Sequence, residues 1–169
     1  GLLNRLVALL VPNFFGAPQH NNWWGAVNSN YVETTFFTGI LTLLLGGLAP
    51  FLRRDAVSKF FMAWGSLGLL WTLGTPIYGL LYVLPIFNGL FPSRAAFVFL
   101  FCLAVLAAIS LDQLMVTPLP HPKRVGRALL GLMLLLLAVA AGYFFYYRAD
   151  VMRTWAYLRP QTLIFLISL

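Results

Sequence analysis

Apolar residues fall in four long runs, at about 34–52, 56–73, 95–111 and 128–147, each closed by charged or proline-rich residues. A helix needs roughly 20 mostly apolar residues to cross the hydrocarbon of a bilayer, and each run is close to that length. Arg53, Arg54 and Asp55 end the first run, and Lys59 stands near the start of the second. Asp112 ends the third, and a polar turn with Pro118, Pro120, His121, Pro122, Lys123, Arg124 and Arg127 leads into the fourth. A basic, aromatic connector at 148–160 precedes a fifth run, 162–169, too short to span.

Two stretches break the helical period. Residues 1–12 set leucines and valine around Asn4 and Arg5, which predicts an interfacial amphipathic helix or the tail of a span. Between 13 and 31, proline, glycine and asparagine interrupt any repeat, so this segment reads as an ordered loop. Trp23, Trp24 and Tyr31 suit the level of lipid head groups. Pro76, Pro85 and Pro92 punctuate a second, aromatic loop at 75–94 that dips back toward the membrane.

Composition turns this pattern into a class. Of 169 residues, 61% are hydrophobic, 16% aromatic and only 9% charged, and the mean hydropathy is +0.87. A soluble domain carries about a quarter charged residues, so this chain lacks the polar groups to cover a water-facing surface. The apolar content excludes disorder, and the single Cys102 excludes a disulfide scaffold. The expectation is an all-α, polytopic transmembrane bundle forming one membrane domain over 1–169, with four full spans and a truncated fifth. With Gly1 in place of an initiating Met, no signal-peptide pattern, and an apolar run at its end, the chain reads as a portion of a longer one.

The net charge of +7 takes its meaning from the spans. Basic residues flank membrane helices and meet anionic head groups, and no basic run interleaves with aromatics as nucleic-acid binding requires. Arg53, Arg54, Lys59, Lys123, Arg124 and Arg127 fall on one side of the predicted spans. Arg5, Arg94, Arg148, Arg153 and Arg159 fall on the other. The two tight turns belong to the first side, which is therefore assigned to the cytoplasm.

The chemistry-bearing residues are few. His20 and His121 both lie outside the spans, so no haem or chlorophyll is expected on a histidine within the bundle. One cysteine and two histidines make no metal ligand set, and no acid sits mid-span as proton or ion carriers require. Glu33, one turn before a span, reads either as an acid favoured by the helix dipole or as a polar contact to a sugar or a metal-bound phosphate. Arg94, at the start of the third span, reads either as a snorkelling anchor or as a phosphate clamp. His20 reads as a solvated loop histidine or a general base. Arg148, Arg153 and Arg159 read as head-group contacts or a lipid-phosphate site.

Several stretches, in order, carry a resemblance. Pro12-Asn13-Phe14-Phe15-Gly16 is followed by Asn30-Tyr31-Val32-Glu33 and the Thr38-Gly39-Ile40-Leu41 start of a leucine-rich span. Leu73-Gly74-Thr75-Pro76-Ile77-Tyr78, Tyr82-Val83-Leu84-Pro85 and Phe91-Pro92-Ser93-Arg94 follow, and the next span ends at Leu111-Asp112. Over about 10–115 this resembles the bacterial YfhO-like membrane proteins, which look like glycosyltransferases of GT-C type. Leu90 and Phe91 stand where the family pattern has a further arginine before Pro-Ser-Arg.

The resemblance implies an enzyme of the bacterial inner membrane that transfers sugar from a polyprenyl-phosphate donor at the extracytoplasmic face. Its catalytic acid would lie in an outer loop nearer the N-terminus, outside these residues. Glu33 and Arg94 carry over as substrate contacts. The alternative is a non-catalytic subunit packed by close-approaching helices within a respiratory or photosynthetic complex. Gly39, Gly46, Gly47, Gly65 and Gly68 suit such packing and serve either reading. Expected partners are membrane lipids, a polyprenyl-phosphate sugar or other membrane subunits, with no nucleic acid.

Overall fold

A computed structural model describes residues 4–24, 31, 35–76, 79, 83, 85, 92–116, 122–153 and 155–168, without the side chains of 4, 5, 92, 153 and 161. Among these residues the secondary structure is helical, with no strand. The helices are α1 (Asn4–Leu10), α2 (Ile40–Leu52), α3 (Ala56–Thr72), α4 (Ala96–Val116), α5 (Pro122–Tyr146), α6 (Arg148–Arg153) and α7 (Trp155–Ser168). One 3-10 turn, Pro92–Ala95, leads directly into α4, and another, Pro18–His20, interrupts the N-terminal loop.

Among the described residues two helices are long and apolar enough to cross a membrane, the continuous Ser93–Val116 and Pro122–Tyr146, and not the four full spans expected. The run at 34–52 is helical only from Ile40, because Gly39 adopts φ +88°, a backbone that ends helical geometry and that side-chain-bearing residues rarely take. The remaining 13 residues rise about 20 Å, short of a hydrocarbon core of about 30 Å. Gly39 is thus a cap and not a site of close packing. α3, with 17 residues, rises about 26 Å.

Elsewhere helices exceed their apolar runs. Pro122 occupies the first position of α5, where its missing N–H costs nothing, so α5 begins six residues before 128 and carries Lys123, Arg124 and Arg127 in its opening turns. α4 runs past Asp112 to Val116. The expected connector at 148–160 is mostly helical, and the described part of the truncated run, 162–168, is the later part of α7, which continues through Pro160.

α2, α3, α4 and α5 alternate in direction along the chain, so α2 runs parallel to α4 and antiparallel to α3 and α5. Glycine sets the α3–α4 seam: a Cβ on Gly68 would lie 3.0 Å from the Phe99 backbone nitrogen, and one on Gly65 would lie 3.0 Å from the Cys102 Cβ. At Gly46 an added Cβ would meet Leu103 of α4, and at Gly47 it would meet Leu132 of α5. Glycine therefore lets a neighbouring backbone or leucine side chain approach closely along these seams.

The bundle has two distinct ends. At one, Leu48 and Leu52 of α2 pack with Val125 of α5 and Leu114 of α4. At the other, Phe36 packs with Ala96, Leu69 and Phe99, while Ile40 and Leu44 share a core with Ala140, Leu158 and Phe165. α1 belongs to this second end. Val7, Ala8, Leu9 and Leu10 are all buried, so α1 is a core element and not an interfacial helix.

Candidate functional site

The second end is built from the N-terminal loop. Asn13 takes φ 51° and Gly16 φ 82°, and the Gly16 N–H donates to the Asn13 carbonyl at 2.8 Å, which turns the chain back on itself. A Cβ at Gly16 would collide with the Asn22 carbonyl, so glycine is required there twice over. The Asn22 Oδ1 accepts from the Ala17 N–H at 2.9 Å, and the Trp24 N–H donates to the Phe15 carbonyl at 2.9 Å. Asn13 accepts a 2.6 Å hydrogen bond from the Tyr31 hydroxyl. Every polar group named here holds the turn closed.

The turn presents Phe14 and Phe15 to the C-terminal end of α5. Phe14 is 1% exposed, and its ring lies 5.2–6.4 Å from those of Phe15, Trp24, Tyr143, Phe144 and Tyr147, all edge to face. Edge-to-face packing occupies the ring faces, so this cluster is a plug and offers no open stacking platform. Trp23 and Trp24, expected at the head groups, are half-buried in this packing.

Beside the plug lies a cavity of about 320 Å³ lined by Thr35, Phe36, Ser93, Arg94, Ala96, Phe97 and Leu100. It joins two stretches far apart in sequence: the residues just before α2 and the 3-10 turn that starts α4. Ser93 is buried, Arg94 and Thr35 are exposed, and the walls below them are apolar. The lining is amphiphilic: it combines the guanidinium residue Arg94 and the hydroxyl residues Thr35 and Ser93 with Phe36, Ala96, Phe97 and Leu100, the last three on a helix long enough to cross a membrane.

Of the residues singled out by sequence, Arg94 lines this cavity, while Glu33 lies outside the described residues. Thr35, two positions after Glu33, sits opposite Arg94. Sequence reasoning passed over Thr35 and Ser93; the available signal was a hydroxyl residue within two positions of each residue chosen. His20 is exposed, with its ring 5.3 Å from that of Tyr157. Arg148 stands over the Phe145 ring at 5.7 Å. Trp64 is half exposed on α3. Among the described residues no three of His, Cys, Asp and Glu come together as a metal site. His121 and most of 77–91 lie outside the described residues.

Comparison with protein-family models, with characterised proteins and with solved structures returns no match to this chain. The reading of the cavity therefore stands on its residues.

Proposed function

We propose that the chain is part of an integral membrane protein resembling GT-C glycosyltransferases, which uses a polyprenyl-phosphate-linked sugar at the extracytoplasmic face of the bacterial cell membrane. The carrying observation is the groove at Thr35, Phe36, Ser93 and Arg94, whose lining joins one cationic residue to apolar ones. Such a groove suits a ligand with an anionic head and a long apolar tail. The guanidinium pairs with phosphate through charge-assisted hydrogen bonds, and Phe97 and Leu100 flank the first isoprenoid units.

In the transfer reaction an acceptor hydroxyl attacks the anomeric carbon and the bond from that carbon to the phosphate oxygen breaks. The hydroxyl proton passes to an ionised carboxylate outside these residues, acting as general base, and the leaving phosphate keeps the electron pair. Arg94 stabilises the charge that grows on that phosphate, and Glu33 contacts the sugar.

The test is binding of polyprenyl monophosphate to the full protein in detergent, read as thermal stabilisation. R94Q should weaken binding about tenfold or more, as expected for loss of a charged hydrogen-bonding partner, and R94K should recover part of it. Equal binding by R94Q and the parent protein would overturn the assignment. A second reading, a non-catalytic subunit of a larger membrane complex, is favoured by α7, where Leu163, Ile164, Leu166 and Ile167 are exposed while Leu158 and Phe165 are buried. Native mass measurement of the mildly extracted protein separates the two, since a subunit leaves the membrane with its partners.

A further inference from the structure

The outward face of α5 runs the length of the helix. Lys123, Arg127, Leu130, Leu134, Ala138, Ala141 and Phe145 recur at helical spacing on one side, and all are exposed. The opposite side carries Val125, Leu132, Leu136, Ala140 and Tyr143, buried or half-buried against α2 and the aromatic plug. About a third of the apolar window of Ser93–Val116 is buried within the molecule (33%), against 6% for Pro122–Tyr146. α5 therefore lies at the edge of the bundle.

Two properties say what covers that face. The apolar stretch is bracketed by cations, Arg127 on α5 and Arg148 just past its end, and α5 rises about 29 Å from Arg127 to Tyr146, close to the thickness of a bilayer's hydrocarbon. The charge is also one-sided. α2 ends and α3 begins beside the start of α5, so Arg53, Arg54 and Lys59 share its end of the bundle with Lys123, Arg124 and Arg127, and all six are exposed. The acids described at that end are Asp55, paired with Arg53 at 2.9 Å, and the exposed Asp112. A partner helix that met this face with leucines would leave the cations facing apolar surface, whereas a lipid meets both parts at once.

We propose that the outward face of α5 is an anionic phospholipid site, with Lys123 and Arg127 on the head-group phosphate and Leu130 and Leu134 along an acyl chain. The inference rests on the membrane part of the reading above and needs none of its sugar-transfer part. It lies at the opposite end of the bundle from Arg94.

The experiment reconstitutes the full chain in nanodiscs of phosphatidylcholine with phosphatidylglycerol and measures by native mass spectrometry which lipid stays bound. Retention of phosphatidylglycerol over phosphatidylcholine by about tenfold is expected, the scale set by a few basic residues at an anionic surface. K123Q/R127Q should abolish the preference and R148Q should leave it intact. Equal retention of both lipids, or a preference that survives K123Q/R127Q, overturns the proposal. Because Cys102 is buried, L134C adds one accessible thiol. Efficient bismaleimide cross-linking of L134C into a dimer also overturns it, since a second copy then covers the face. A chain that stays in solution without detergent fails the membrane reading itself, separately from the site.

Discussion

At the aromatic end of the bundle, backbone carbonyls, Asn13, Asn22 and Gly16 close a turn, and Phe14 fills the space between that turn and α5. At the basic end the turn between α2 and α3 is held by short-range polar contacts in water. The Asp55 carboxylate accepts from the Ser58 N–H at 2.9 Å and pairs with Arg53, while Arg54 donates to the Pro50 carbonyl at 2.7 Å. One end is closed by packing and the other by capping. A buried ring loses its whole environment when truncated, whereas an exposed ion pair exchanges its partner for water. The ends should therefore respond very differently to substitution, and the two proposed sites divide along the same line, the groove at the aromatic end and the lipid-facing surface at the basic one.

The sharpest way to break this contrast is F14A. Removing a ring that touches Trp24, Phe144 and Tyr147 should cost about 3 kcal/mol or more, seen as a large fall in the thermal midpoint in detergent. A small fall would mean that the aromatic cluster is loose and that the two ends are alike. Next comes G16A, which forces a left-handed backbone on a residue with a Cβ and drives that Cβ into the Asn22 carbonyl. Its expected cost is about 2 kcal/mol, with hydrogen exchange rising over 13–24 before the rest of the chain.

At the basic end, D55N should do much less. Hydrogen bonding from Ser58, then the charge of Arg53, holds the Asp55 carboxyl below its usual value of 3.8. The lowered value means that the folded state favours the charged form. That contribution is complete above about pH 4 and fades as the pH falls through the folded value. Protection factors for amide exchange at 56–60, corrected for the intrinsic pH dependence of exchange, should therefore fall in acid for the parent chain and show little of that fall in D55N. R53Q should give the smallest effect, no measurable change in thermal midpoint, because its pair with Asp55 is exposed.

Helix and loop were legible where composition alone decides them. Prolonged apolar runs must pair their backbone groups internally, and asparagine, glycine and proline interrupt that pairing, so the break at 53–55 and the irregular loop after Pro12 could be read directly. Element ends were less legible. A leucine-rich run gives no sign that Gly39 will take φ +88°, since glycine permits that conformation without requiring it. The start of α5 was also hidden, because Pro122, Lys123, Arg124 and Arg127 look like a polar turn until the helix is seen to run beneath them.

By itself the sequence determined the class of the molecule: too few charges for a water-facing surface, apolar runs that must be helical, and cations gathered at their margins. It also singled out Arg94, because an arginine at the head of an apolar helix is conspicuous whatever the fold. Only the tertiary structure decided which groups Arg94 meets and which face of α5 remains open. Both depend on residues dozens of positions apart coming together, Thr35 with Ser93 and Arg94 around one cavity, or Leu48 with Val125 in one core. Local pattern carries no information about such pairs, since an apolar face of a helix looks the same whether another helix or a lipid comes to cover it.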